Sequence, residues 1–224
     1  MLDENLDWND QILNVSKKIS RGIGILYRLR GFIGKDILLN ISYSLIYTHL
    51  MYGIEIWVSA SQENMLKLLL LQKKAIRAIS FSNDFINPND FYIPTDPLFK
   101  NLEILKVDDI YSFKVSVFIY QCLTSATPFE SWFSYIHDSH IHSTRQGTSV
   151  NRKNYFDIGE TVATSSLHHR YSRLINYGGK SMKVSGPVLW NKIPDKIRDL
   201  LTLSAFKKDY KLHLLQSYHN DESI

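Results

Sequence analysis

At 224 residues, with 44% hydrophobic and 21% charged residues, the chain has the make-up of a globular protein with one sizeable core or two subdomains, which excludes a disordered chain. Its one cysteine, Cys122, excludes an intramolecular disulfide, and the neighbours Phe118, Ile119 and Leu123 predict a buried, inert thiol. The net charge of +4 is unevenly spread: residues 11–80 carry a balance of +7, residues 81–139 of −5 and residues 140–224 of +6, so a polyanion is expected to touch the two basic zones and not the acidic middle.

In chain order, Met1 to Asp10 holds four acids and no Lys or Arg, and it has no apolar core, so no signal peptide is expected there. From Gln11 to Arg30, Ile12, Val15, Ile19, Ile23, Leu26 and Leu29 recur at three- and four-residue steps, which predicts an amphipathic helix. Gly31 and Gly34 end it, and Lys35-Asp36 opens a second, long helix through Ile37–Met51, with a bend or stop between Tyr52-Gly53 and Trp57. The longest apolar tract, Ile37 to Val58, carries Asn40, His49 and Glu55, which hydrocarbon would leave unpaired, so it reads as core and not as a membrane span. Ser59 with Gln62 forms a weak capping box for a third helix, about Ser61 to Ile79.

Ser82 to Asp96 is rich in Asn, Asp and Pro and reads as a loop, after which Asp96-Pro97 starts a short helix as cap and first residue. Asp108 or Asp109 caps the next, which runs to about Leu123, and Glu130 to Ile136 forms a brief aromatic helix. Beyond His137 the pattern turns polar. Tyr155–Ile158 and Glu160–Thr164 read as short strands, and Gly178-Gly179 between Leu174–Tyr177 and Met182–Val184 as a hairpin. Ser204 caps a last amphipathic helix to about Ser217. The expected fold is mainly α: a basic helical bundle over residues 1–82, an acidic helical segment over 83–136, and a mixed helical part with short β-hairpin elements over 137–224.

Catalytic patterns are absent from the sequence. There is no G-x-S-x-G, no Cys–His signature and no phosphate-cradling loop, since Gly22 and Gly24 sit inside a helical period. His137, His140 and His142 have metal-like spacing but no thiolate company, and with His168-His169 they read as solvated loop. Asp108-Asp109 lacks the flanking strands of a polymerase metal pair and reads as a helix cap. No catalytic residue, metal, cofactor or small-molecule substrate is expected.

The first helix is more informative. At about 100° per residue, Lys17, Arg21 and Arg28 fall within about 40° of arc with Gly24 alongside, opposite the apolar residues. A cationic stripe with a glycine gap can lie close to a sugar–phosphate backbone. On the third helix Lys67 and Lys74 share a line one heptad apart, with Lys73 and Arg77 nearby.

Several blocks, in order, resemble a known family. Leu2-Asp3 with Leu6-Asp7-Trp8 is followed by Ile46-Tyr47-Thr48-His49 with Tyr52-Gly53 and Trp57, then by Leu71-Gln72-Lys73-Lys74-Ala75-Ile76-Arg77. His142-Ser143-Thr144-Arg145 and Gly186-Pro187 through Trp190-Asn191 to Pro194 complete the series. Together they resemble the thumb and tail of non-LTR retrotransposon reverse transcriptases, jockey-like RNA-directed DNA polymerases in particular. The resemblance implies a transposable-element protein whose thumb-like helices grip a template–primer duplex, with the catalytic aspartates in a palm upstream and outside this sequence.

On this reading the chain is not itself an enzyme. Its expected partners are RNA or an RNA–DNA duplex, bound without sequence preference, and a polymerase core; the expected location is intracellular, in nucleus or cytoplasm. Trp57, Gly186, Pro187 and Trp190 are structural anchors, with Pro187 at the first position of a short helix, Pro194 at the boundary of the next, and Trp190 contributing roughly 2–3 kcal/mol of burial. The alternatives are a remnant without nucleic-acid binding or a helical interaction module whose acidic middle exposes Phe129, Trp132, Phe133 and Tyr135.

Overall fold

The computed structural model describes residues 8–57, 61–80, 94–124, 133 and 182–218. Among them every regular element is helical: α1 (Asn9–Leu29), α2 (Lys35–Ser42), a π-helical turn (Tyr43–Tyr47), α3 (Thr48–Met51), α4 (Ile54–Trp57), α5 (Gln62–Ser80), α6 (Asp96–Asn101), α7 (Val107–Thr124), α8 (Met182–Asn191), α9 (Asp195–Arg198) and α10 (Leu203–Gln216). The chain forms two compact units, one of Met1–Tyr111 with His213–Ile224 and one of Ser112–Leu212. The loop over residues 82–96 lies outside the described residues up to residue 93, as do the predicted strands Tyr155–Ile158 and Glu160–Thr164, the Gly178-Gly179 turn and most of the aromatic segment.

In the first unit α1 packs most extensively against α5 and also meets α2, the π-helical turn and α3. Its buried residues are Ile12, Val15, Ile19, Gly22, Ile23 and Leu26, the arc that the periodicity marks. Burying each branched side chain is worth roughly 1.5–3 kcal/mol before chain entropy is counted. Gly22 permits the closest approach: a Cβ built there would lie 3.0 Å from Ile46 Cγ1 and 3.2 Å from the Leu45 carbonyl oxygen. Gly24, two residues on, would place a Cβ in open space.

The expected single helix over Ile37–Met51 is instead interrupted by the π-helical turn. Three hydroxyls around it bond back to carbonyls of their own helix, Ser42 to Leu39 at 2.7 Å, Ser44 to Asn40 at 3.2 Å and Thr48 to Ser44 at 2.7 Å. Such back-bonding competes with the regular ladder and favours local bending. The chain then turns at Gly53, whose φ of 65° suits a residue without Cβ. The Trp57 indole, 2% exposed, donates to the Tyr52 carbonyl across that turn at 2.8 Å.

A buried amide links these elements to the rest of the unit. Gln72 on α5 donates through Nε2 to the Tyr47 hydroxyl at 2.9 Å and the Leu105 carbonyl at 2.7 Å, and through Oε1 accepts the Val107 N–H at 3.0 Å. One side chain thereby supplies a partner to the first free N–H of α7.

In the second unit the aromatic rings of Tyr120, Phe206, Tyr210 and Phe113 stack in series, and Trp190, fully buried, leans on Phe206 at 5.8 Å between centroids. Pro194 immediately precedes α9 as its N-cap. Cys122 is buried.

Several expectations change. Met182–Val184 is the first turn of α8 and not a hairpin arm, because a three-residue apolar run cannot by itself distinguish a period of 2 from 3.6. Pro187 consequently lies inside α8, not at its first position. Gly186 serves close packing: a Cβ there would meet Ile119 Cδ1 at 3.0 Å and the Phe133 ring at 3.3 Å. Phe133 itself is 7% exposed, edge-on to Phe118, and so is no part of an exposed face.

The caps shift by one or two residues. Ser61, not Ser59, accepts the Asn64 N–H; Thr95 occupies the cap before α6; Thr202, not Ser204, accepts the Ala205 N–H; and Asp108 and Asp109 lie in the first turn of α7.

The two glycines of α1 predict opposite responses. Gly22→Ala is expected to lower stability by about 1–2 kcal/mol through overpacking against Leu45 and Ile46, and Gly24→Ala to raise it by about 0.5–1 kcal/mol. Urea denaturation of the two variants checks both signs.

Candidate nucleic-acid interface

The outer face of α1 follows from its inner one. With the apolar arc turned to α5 and the π-helical turn, Lys17, Arg21, Gly24 and Arg28 are all exposed. No salt bridge engages the three cations among the described residues. The stripe therefore presents three unpaired positive charges along about three turns, about 17 Å of helix, with a gap in the side-chain surface at Gly24. Near its end Arg30 lies over the Tyr27 ring at 4.7 Å.

Lys67 and Lys74 occupy a different place. Both are exposed on α5, but they line a groove between α5 and the flank of α1, beside Leu13 and Leu70. Lys67 also pairs with Glu63 at 3.1 Å, both side chains being solvent-exposed, an arrangement worth about 0–1 kcal/mol. Lys73 and Arg77 are half-buried. The α5 lysines thus stand across this groove from α1, while Lys17, Arg21 and Arg28 line the exposed face of α1 itself.

The sites named as anchors have structural surroundings. Trp57 closes the Gly53 turn, Trp190 is buried against Phe206 in the second unit, and Gly186 packs against Ile119 and Phe133. The histidines at 137, 140, 142, 168 and 169 lie outside the described residues. Among the described residues no group of three or more His, Cys, Asp or Glu is placed to hold a metal ion, and no helix is long and apolar enough to cross a membrane.

Asp108-Asp109 shows what the acidic pair does. Tyr218 donates to Asp109 Oδ2, and its hydroxyl oxygen accepts the Lys106 N–H at 2.9 Å. Lys106 Nζ sits 4.4 Å from the Tyr218 ring centre and 2.7 Å from Asp96 Oδ2. Tyr218 thus ties the end of the described chain to the start of α7. Neither the tyrosine nor the lysine was marked by sequence pattern; only the acid-rich first turn of α7 was. Burial raises the Asp109 carboxyl above its ordinary value, outweighing the hydrogen bond from Tyr218 and the nearby Lys106, which pull it down. Burial likewise pushes the Tyr218 hydroxyl far up, helped by the Asp109 charge.

No protein-family model, curated protein or solved structure matches this chain.

The sign of the Asp109 shift gives a stability test. A carboxyl that binds its proton more tightly folded than unfolded destabilises the fold as it ionises, so this contribution falls from about pH 4 upward through the raised folded value. Asp109→Asn, which still accepts from Tyr218, is expected to remove that downward slope. Urea midpoints of the parent and Asp109→Asn proteins between about pH 4 and 8 should therefore draw apart as pH rises, with the variant the more stable.

Proposed function

We propose that this chain is a nucleic-acid-binding protein that holds RNA or an RNA–DNA duplex without sequence preference, through the outer face of α1. The observation that carries the reading is Gly24. It is exposed in a helix interior, at a cost of roughly 0.5–1 kcal/mol against alanine, and nothing lies within 4 Å of where its side chain would be. Packing gives no reason for a glycine there. Close approach of a ligand to the helix backbone does, and Lys17, Arg21 and Arg28 on either side give that ligand its chemistry: a chain of phosphates.

The resemblance of the sequence blocks to the thumb and tail of non-LTR retrotransposon reverse transcriptases supports the same ligand. On that reading the chain acts as a grip on a template–primer duplex, with polymerase chemistry residing in a palm beyond this sequence, and it works inside the cell. Contacts of this kind position a duplex without reading its bases. Lys67 and Lys74, set in the groove with leucines, contribute long-range attraction and not backbone contacts.

Fluorescence anisotropy with a labelled RNA–DNA hybrid at low salt tests the reading. Lys17→Ala, Arg21→Ala and Arg28→Ala combined should weaken binding at least about tenfold, from the loss of three phosphate contacts. Gly24→Ala should weaken it several-fold while the fold becomes more stable. Undiminished binding by the triple variant would overturn the assignment of the site.

A further inference from the structure

The groove between α1 and α5 is not used by the proposed phosphate contacts. It has a volume of about 570 Å3 and is lined by Leu13, Ser16 and Ser20 of α1 and Lys67, Leu70 and Lys74 of α5, among others. Asn64 donates to Asn9 Oδ1 at 2.6 Å, tying the starts of the two helices together at one end. From Asn9 to Ser20 the trough runs about 16 Å, the length of about three helical turns. Leu13 is 54% and Leu70 58% exposed. Opposed half-exposed leucines on two well-packed helices are a cost unless something covers them, and the α1–α5 core is complete without them.

The chemistry of the lining selects among occupants. None of the lining residues is aromatic or an arginine, so the trough offers neither a stacking surface for bases nor a guanidinium fork for phosphates. It offers apolar contact along its length, two hydroxyls one turn apart on one wall, and two ammonium groups seven residues apart, about 10 Å, on the other. Among the described residues Lys67 is held only by the exposed Glu63, a pairing weak enough to exchange. Residues seven apart on an incoming helix recur at the same spacing as Lys67 and Lys74.

We infer that the α1–α5 groove is a docking site for an amphipathic helix of a partner protein, with leucine-type residues on one face and acidic residues at seven-residue spacing beside them. The leucines seat between Leu13 and Leu70, and the carboxylates meet Lys67 and Lys74, replacing Glu63 on the former. This is helix-in-groove recognition with charge setting orientation. On α1 the groove occupies the arc next to the cationic stripe, between it and the buried face, so the two surfaces are distinct, and this inference stands whether or not the chain binds nucleic acid.

The probe is a capped synthetic helix of about four turns with leucines at i, i+4, i+7 and i+11 and glutamates on the flanks, beside a twin carrying lysines in place of the glutamates. Each is titrated by anisotropy into the full chain. The acidic helix should bind at least tenfold tighter than its twin. Leu70→Asp should weaken it at least tenfold without changing the far-UV circular dichroism. Lys67→Glu with Lys74→Glu, on exposed positions that leave the fold intact, should reverse the preference between the twins.

Failure of the acidic helix to saturate, or equal binding by the Leu70→Asp protein, would overturn the inference. A dimer in light scattering that Leu70→Asp dissociates would overturn it in favour of a second copy in the groove. Competition by an RNA–DNA hybrid that survives the Lys17, Arg21 and Arg28 substitutions would overturn it in favour of nucleic acid.

Discussion

The seating of α1 on α5 and on the π-helical turn governs which of its residues meet water. Five branched side chains and Gly22 occupy the buried arc, and Gly22 allows the Leu45 carbonyl and the Ile46 side chain to approach within contact. A rotation of the helix by one residue, about 100°, would lift Ile19 and Leu26 toward solvent and drive a cation toward the core. The rotational setting is therefore tightly specified. The cationic stripe, the gap at Gly24 and the α1 wall of the groove all inherit their positions from it. The surface this helix offers to solvent is a consequence of how its other side packs.

Polar interactions then hold the surroundings of α1 in place. Gln72 is fully buried and satisfied three times over, bonding the π-helical turn, the Leu105 carbonyl and the first N–H of α7. Such a network specifies one arrangement, because any slip strands a buried donor or acceptor. Tyr218 does the same for the end of the described chain, at the expense of a carboxyl held in partial burial. In the second unit the stabilising principle differs: ring stacking around Phe206, with Trp190 as its largest fully buried member.

The helices of the first unit were legible because their apolar residues are branched, regularly spaced and long in run. The π-helical turn was not, because Tyr43 to Tyr47 continues the apolar tract without a glycine or proline. Caps were misplaced where two acceptors stand near each other, as at Ser59 and Ser61 or Thr202 and Ser204; residue type alone does not say which one the helix uses. Met182–Val184 was too short to carry a period. Gly22 and Gly24 looked alike in composition, yet the helical phase separates them, Gly22 on the buried arc and Gly24 within the stripe. Gln72 carried a similar signal, a polar residue on the apolar phase of α5. The groove was out of reach, since it arises from which two helices pair, and no periodicity within either one records that.

The proposed seating of the α1 cations along a polyphosphate is measured most directly by the salt dependence of binding. Titration of the purified protein against an RNA–DNA hybrid at several salt concentrations should give a log–log slope of about −2 to −3, the value for roughly three neutralised phosphates. A slope near zero, or no binding at low salt, would contradict it.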